Sequence, residues 1–212
     1  MISFIGQDPV TAGVAASWAR PGGNLTGIAM LATELDGKRL SLLHEAVPAA
    51  RRLAALSIQG QPRESLVEMH AVAAKTGAEL AEVFVSGPEE YRTAFAAMRT
   101  AQAQTLIIAS SAMLYRDAAT LAALALEAGL PTVCEWREMA EQGCMMGYGP
   151  DITELRRRTA DYVVRIFRGT NPGARPIEGP THFGFAINLN TAPALGIKIP
   201  PLTLASADEV IE

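Results

Sequence analysis

The sequence has no surplus of positive charge, few histidines and few cysteines. Its 18 lysines and arginines face 22 aspartates and glutamates, for a net charge of −4. Nucleic-acid binding needs clustered cations to neutralise phosphates. The one dense basic run, Arg156-Arg157-Arg158, reads as a solvated helix face, so no nucleic-acid partner is expected. The three histidines, His44, His70 and His182, are scattered with no metal partner at i+3 or i+4, and they read as surface or packing residues. The two cysteines, Cys134 and Cys144, cannot make a metal cage, and no Cys-x-x-Cys accompanies them. The favoured reading is a pair of buried free thiols on neighbouring strands. The other reading, a disulfide, needs a Cβ geometry that sequence does not supply.

Further absences narrow the field. No apolar stretch reaches the roughly 18 residues of a membrane span. The start, Met1-Ile2-Ser3-Phe4-Ile5, lacks the basic region and cleavage site of a signal peptide and reads as a buried strand that begins at once. No Gly-x-Gly-x-x-Gly follows a strand, and there is neither a Walker-type phosphate loop nor a Gly-x-Ser-x-Gly elbow. Gly22-Gly23 reads as a tight turn needing positive φ rather than a phosphate loop. Neither a cofactor nor a resident metal is expected.

What remains is a core-forming chain. Hydrophobic residues make up 49% and charged residues 19% of 212 positions, enough for one large α/β domain or two small lobes. Short apolar runs alternate with longer amphipathic ones. Residues 52–58, 79–85, 105–109, 131–134 and 144–148 read as strands. The intervening helices are expected at 62–76, from about 88 to 101, and at 115–128. In the first of these, Leu66, Val67, His70, Ala73 and Ala74 form the apolar stripe, and Gly77 stops it. Ser86 is the candidate cap of the second. Strands separated by helices give a parallel, doubly wound sheet whose crevice lies beyond the carboxyl ends of the strands. The flanks differ. Residues 1–6 and 24–30 are strand-like and joined by a helix-like segment from Val10 to Trp18, with further helices at 34–47 and 151–168. A Pro/Gly-rich connector at 171–176, a last strand from Phe183 to Leu189, a short Ala/Leu helix and a Pro200-Pro201 tail complete the chain.

The chemical signal is positional. Gln59, Ser86, Ser110-Ser111, Glu135-Trp136 and Tyr148 stand at the carboxyl ends of the five expected strands, and the first strand of the chain ends in Gln7-Asp8-Pro9. Such side chains hydrogen-bond or stack on a small ligand in a crevice.

Several segments resemble the bacterial ABC-transporter substrate-binding proteins of the tryptophan or aromatic-amino-acid-uptake type. They are Gln7-Asp8-Pro9-Val10 with residues 19–27, Lys38-Arg39-Leu40 through Val47-Pro48, Glu135-Trp136-Arg137-Glu138, Gly147-Tyr148-Gly149-Pro150, residues 186–192 and residues 207–211. The run Arg20-Pro21-Gly22-Gly23-Asn24-Leu25-Thr26-Gly27 is the most specific. The resemblance implies an α/β, two-lobed type I periplasmic-binding-protein fold with parallel doubly wound sheets, closing on its ligand by a hinge. It further implies a partial first lobe at 1–32 and 150–177, a second lobe at 33–149 and 178–212, and a first lobe left incomplete by truncation ahead of Met1. Asp8 would face the ligand from the first lobe. Gln59, Ser110, Ser111, Glu135, Trp136 and Tyr148 would face it from the second. Relatives often carry Asn in place of Gln59 and Ala-Asp-Pro in place of Ser110-Ser111-Ala112. The lost carboxylate removes a charge-assisted bond to a ligand ammonium group.

The function implied is that of a non-enzymatic solute-binding component of an ABC import system. It would take a small polar or aromatic molecule, an amino acid among the candidates, and deliver it to a permease from a periplasmic or lipid-anchored, extracytoplasmic position. The alternatives are an enzyme on a flavodoxin-like lobe using Cys134 or Cys144, and a shortened product that binds little. Self-association through the incomplete first lobe is a further expectation.

Overall fold

The computed structural model describes residues 1–32, 34–60 and 63–212. Strands β1 (Ile2–Ile5) and β2 (Thr26–Ala29) are followed by helix α1 (Asp36–Ala46), β3 (Arg52–Ile58), α2 (Arg63–Thr76), β4 (Glu79–Val85) and α3 (Tyr91–Thr100). Then come β5 (Thr105–Ile108), α4 (Ala112–Arg116), α5 (Ala118–Glu127), β6 (Thr132–Cys134), α6 (Arg137–Glu141) and β7 (Met146–Pro150). The chain ends with α7 (Ile152–Phe167), β8 (Phe183–Asn188), α8 (Thr191–Ala194), α9 (Pro201–Ala205) and β9 (Glu209–Ile211). It divides into two compact units, one of residues 1–32 and 150–183, the other of 33–149 and 184–212.

The larger unit is built on a seven-stranded sheet in the order β4-β3-β5-β6-β7-β8-β9. The pairs β3–β4, β3–β5, β5–β6, β6–β7 and β8–β9 are parallel. Thr105 through Ile108 are buried throughout, as a central strand covered on both faces must be. Helix α1 lays Leu40, Leu43 and Ala46 on the sheet, where they meet Leu53, Ile107, Val133 and Ile187. Helix α2 follows a stripe that differs from the expected one. Ser65, Met69 and Ala73 are buried, whereas Val67 is 64% exposed. Pro62, where the sequence pattern starts this helix, lies outside the described residues. The single helix expected at 115–128 is two, broken at Asp117, which ends α4 and accepts the Tyr91 hydroxyl at 2.7 Å. Gly87 rather than Ser86 precedes the first turn after β4, and the Ser86 N–H donates to Glu90. The tail after Pro200 is ordered as α9 and the edge strand β9.

The two cysteines correct the free-thiol reading. Cys134 and Cys144 form a disulfide, with Cα atoms 6.5 Å apart. Helix α6 is a crossover of a single turn or so, and it returns the chain beside the strand it left. That brings the two Cα atoms within disulfide reach.

In the smaller unit, β1 and β2 pair in parallel, Ile2 with Thr26 through Ile5 with Ala29. A Cβ at Gly27 would overlap the Ser3 backbone, so only glycine lets the strands close here. Ile5, Ala15, Leu25, Ala29 and Ile177 make its small core, with Trp18 against them. Val10 to Trp18 is a run of turns, not a helix. The Asp8 carboxylate takes the first free N–H groups, and Gly13 at φ 69° stops the helical path. The segment after the Pro/Gly-rich connector stays with this unit: Ala29 donates to Glu178 O and Ile177 to Trp18 O. The chain therefore returns to the larger unit at Gly184 rather than at 178.

Candidate functional site

The parallel order of β3, β5, β6 and β7 brings their carboxyl ends side by side in the larger unit. Beneath that rim lies a charge pair on the buried face of α1. Asp36 and Arg39 are both 0% exposed, with Arg39 Nη1 2.7 Å from Asp36 Oδ1. The guanidinium reaches three strand ends. Nη1 donates to Ser110 Oγ after β5 at 2.7 Å, Nη2 to the Glu135 carbonyl after β6 at 3.4 Å, and Nε to the Tyr148 carbonyl in β7 at 2.7 Å. Asp36 also accepts the Ser65 hydroxyl from the first turn of α2. One fork of donors thus fixes the relative positions of three strand ends, a task suited to the planar guanidinium.

The network sets the local electrostatics. Burial pushes the Asp36 carboxyl up, opposed by the charge and hydrogen bond of Arg39 and by the hydroxyls of Ser65 and Ser110. Burial also pushes Glu135 up, and Asp36 adds to this by like-charge repulsion. Arg39, the Trp136 side chain and the Ser111 backbone N–H work against it. The close approach of β7 to this segment depends on glycine. A Cβ at Gly147 would overlap the Trp136 carbonyl, and one at Gly149 the Glu135 carbonyl.

The sequence-derived candidates divide into groups. Ser110, Ser111, Glu135 and Trp136 come together around Arg39. The Ser111 hydroxyl is committed as the cap of α4, accepting from Met113 N at 3.2 Å. The Trp136 ring meets Tyr115 edge to face, centroids 6.4 Å apart. Tyr148 joins the network through its carbonyl, while its ring packs edge to face on Phe185 at 6.2 Å. Gln59 is exposed past the end of β3, its N–H donating to Val85 O. Asp8 belongs to the smaller unit. Its carboxylate accepts the N–H groups of Val10 and Thr11 and, at 2.7 Å, the Trp18 indole. The Thr11 N–H holds the Asp8 carboxyl below the usual range, partial burial opposes this, and Trp18 assists.

Asp36 and Arg39 were not singled out as site residues by the sequence reasoning. A signal was present: they lie three apart on the stripe that continues through Leu40 and Leu43, and charge on an apolar stripe marks a buried pair. No group of residues suited to a metal ion occurs among the described residues. No helix among them is long and apolar enough to cross a membrane. The disulfide engages both sulfurs that an enzyme reading would use as nucleophiles.

Comparison with known proteins bears on what this rim serves. Residues 2–211 match the family described as ABC transporter substrate binding protein. A curated relative, the tyrosine-binding protein of Clostridioides difficile, is 21% identical over 90% of this chain. The chain spans 55% of that relative's length. A Streptococcus pneumoniae ABC domain solved in complex with L-Trp superposes with TM-score 0.85 at 22% identity, covering 99% of this chain and 73% of the other. A conserved domain protein from Vibrio cholerae superposes with TM-score 0.84 at 24% identity, covering 96% and 69%. Likeness at these identities establishes the fold, the type I periplasmic-binding one.

Proposed function

Because this chain belongs to the ABC transporter substrate-binding protein family, we propose that it is the solute-binding component of an ABC import system, holding a small polar or aromatic molecule for a membrane permease. The observation that carries this reading is the strand-end rim of the larger unit, where Ser110, Ser111, Glu135 and Trp136 converge over the buried Asp36–Arg39 pair. A few polar groups and an aromatic ring, held by a network that needs no rearrangement, are the parts from which small-molecule sites are made. The L-Trp found with the pneumococcal domain and the name of the clostridial protein make aromatic amino acids the first ligands to try. The role is binding without turnover. An extracytoplasmic location, periplasmic or lipid-anchored, agrees with the Cys134–Cys144 disulfide, which persists in oxidising compartments.

A thermal-shift screen of aromatic amino acids, other amino acids and small carboxylates tests the proposal. A true solute raises stability by mass action, about 2.7 kcal/mol at a hundredfold excess over its Kd. Turnover of a compound without saturable binding overturns it.

A further inference from the structure

The disulfide brackets the segment that carries two of the rim residues. Cys134 ends β6 and Cys144 stands just before β7, so the bond closes a loop over residues 135–143. Glu135 and Trp136 open that loop, and α6 follows them. Both cysteines are fully buried. The other ties on the loop are uneven. Strand β6 is three residues long. Its ladder to β5 ends at Val133, and its ladder to β7 has two positions, Val133 with Met146 and Cys134 with Gly147. Helix α6, at five residues, is too short to be stable by itself. The back of the loop is anchored well: Asn188 Nδ2 donates to Ala140 O at 2.7 Å and Thr191 Oγ1 to Gly143 O at 3.0 Å. The front is held more loosely. Arg39 reaches the Glu135 carbonyl at 3.4 Å, longer than a good N–H···O bond, and Tyr115 meets the Trp136 ring edge to face. The covalent link thus stands where strand pairing runs out and the two rim residues begin.

We propose that Cys134 and Cys144 are positioning residues of the solute site: their disulfide holds Glu135 and Trp136 in one arrangement before a solute arrives. Joining the two ends of a short loop removes freedom that the loop would otherwise have. A site ordered in advance spends less of its binding free energy on ordering. The cysteines touch no solute themselves and act through the segment between them. The clasp is permanent rather than a switch, because buried sulfurs are out of reach of a reductant while the unit is folded. The inference rests on the solute-binding reading of this rim.

Calorimetry on the whole protein tests it with L-tryptophan and L-tyrosine as probes. Three forms are compared: the bonded protein, wild type reduced in urea and refolded with a phosphine reductant present, and the variant Cys134→Ala with Cys144→Ala. Where circular dichroism shows all three folded, the two unbonded forms should bind the better probe about 10-fold more weakly. Reoxidising the reduced wild type should restore the original Kd. A spectroscopic readout needs no solute. In a Trp18→Phe background, loss of the bond should shift Trp136 emission to the red and raise its quenching by acrylamide. Equal Kd values with lower folding stability mean that the bond only stabilises, which overturns the inference while the solute-binding reading stands. Unchanged Trp136 emission and quenching overturn it as well. If the double variant fails to fold, the reduced wild type carries the comparison, since its sulfurs fill the same space. Unfolding of both unbonded forms overturns it too, because the bond is then needed for the fold itself. If neither probe binds even the bonded protein, the solute-binding reading of the rim falls, and the positioning role with it.

Discussion

The buried carboxylates of the larger unit and the partly exposed ones of the smaller unit are kept in opposite ways. In the larger one, Asp36 and Glu135 lie inside, and burial pushes both upward, while Asp117 nearer the surface is held low by the Arg116 guanidinium. In the smaller one, the three shifted carboxylates are partly exposed and all held low. The Thr11 N–H lowers Asp8, and the Thr181 hydroxyl and His182 lower Glu154. Glu178 is pushed up by burial but brought below the usual range by Arg158 and Tyr162. Sheet size accounts for the difference. Seven strands covered by helices leave room for a polar network inside a dry layer. Two strands provide little interior, so polar groups there act at the surface as straps on turns and on α7. Buried networks rigidify and specify a site, whereas exposed ones tune local order.

Each unit holds one of the two tryptophans, Trp18 in the smaller and Trp136 in the larger. The single-tryptophan variants Trp18→Phe and Trp136→Phe therefore report the units separately. The largest effect is expected from Arg39→Met, which strands Asp36 as a buried unpaired acid. The Trp136 transition in urea should lose about 3–5 kcal/mol while the Trp18 transition stays near its original midpoint. Coincident losses would show that the units unfold as one body and would break the comparison. Removing the disulfide by Cys134→Ala with Cys144→Ala should cost about 2–3 kcal/mol by loop closure, again in the Trp136 transition. Asp8→Ala should cost about 1 kcal/mol through the lost hydrogen bonds from the Val10 and Thr11 N–H groups and the Trp18 indole. It should appear in the Trp18 transition, with a shifted Trp18 emission as the indole loses its acceptor.

Acid sharpens the contrast by sign. A carboxyl held low in the folded state contributes stability above its unfolded pKa, and that stability is lost as pH falls through the folded value. For Glu154 and Glu178 the reference value is 4.5 and for Asp8 3.8, so the smaller unit should weaken as pH drops below that range. Glu135 is raised above 4.5, so its contribution is fully present below that value and lost as pH rises through the folded one. Between pH 6 and 3.5 the Trp18 midpoint should therefore fall further than the Trp136 midpoint. Parallel falls would remove the electrostatic distinction.

Much of the larger unit was legible because its strands are apolar without interruption. Thr105 to Ile108 and Leu53 to Leu56 admit little but a buried strand, and alternation with helices implies parallel pairing. The smaller unit was less legible. Val10 to Trp18 has helical composition, but Asp8 and Gly13 turn the chain before a helix forms. Helix α2 was misphased because Val67 is apolar yet exposed, while Ser65 is polar yet buried against Asp36. The strand-end rule pointed to Ser110, Ser111, Glu135 and Trp136, which the fold gathers near Arg39, but not to Arg39 itself, which reaches the rim from a helix far earlier in the chain.

The sequence by itself determined the fold class, the parallel sheet and the end of it where a site would lie, because periodicity and turn residues act over short distances. Tertiary structure alone decided that Cys134 and Cys144 are bonded, that Arg39 is shared among three strand ends, and that Glu135 is buried within the electrostatic reach of Arg39 and Asp36. Those outcomes depend on which groups folding brings within hydrogen-bond or covalent reach, and on how much water it removes from around them.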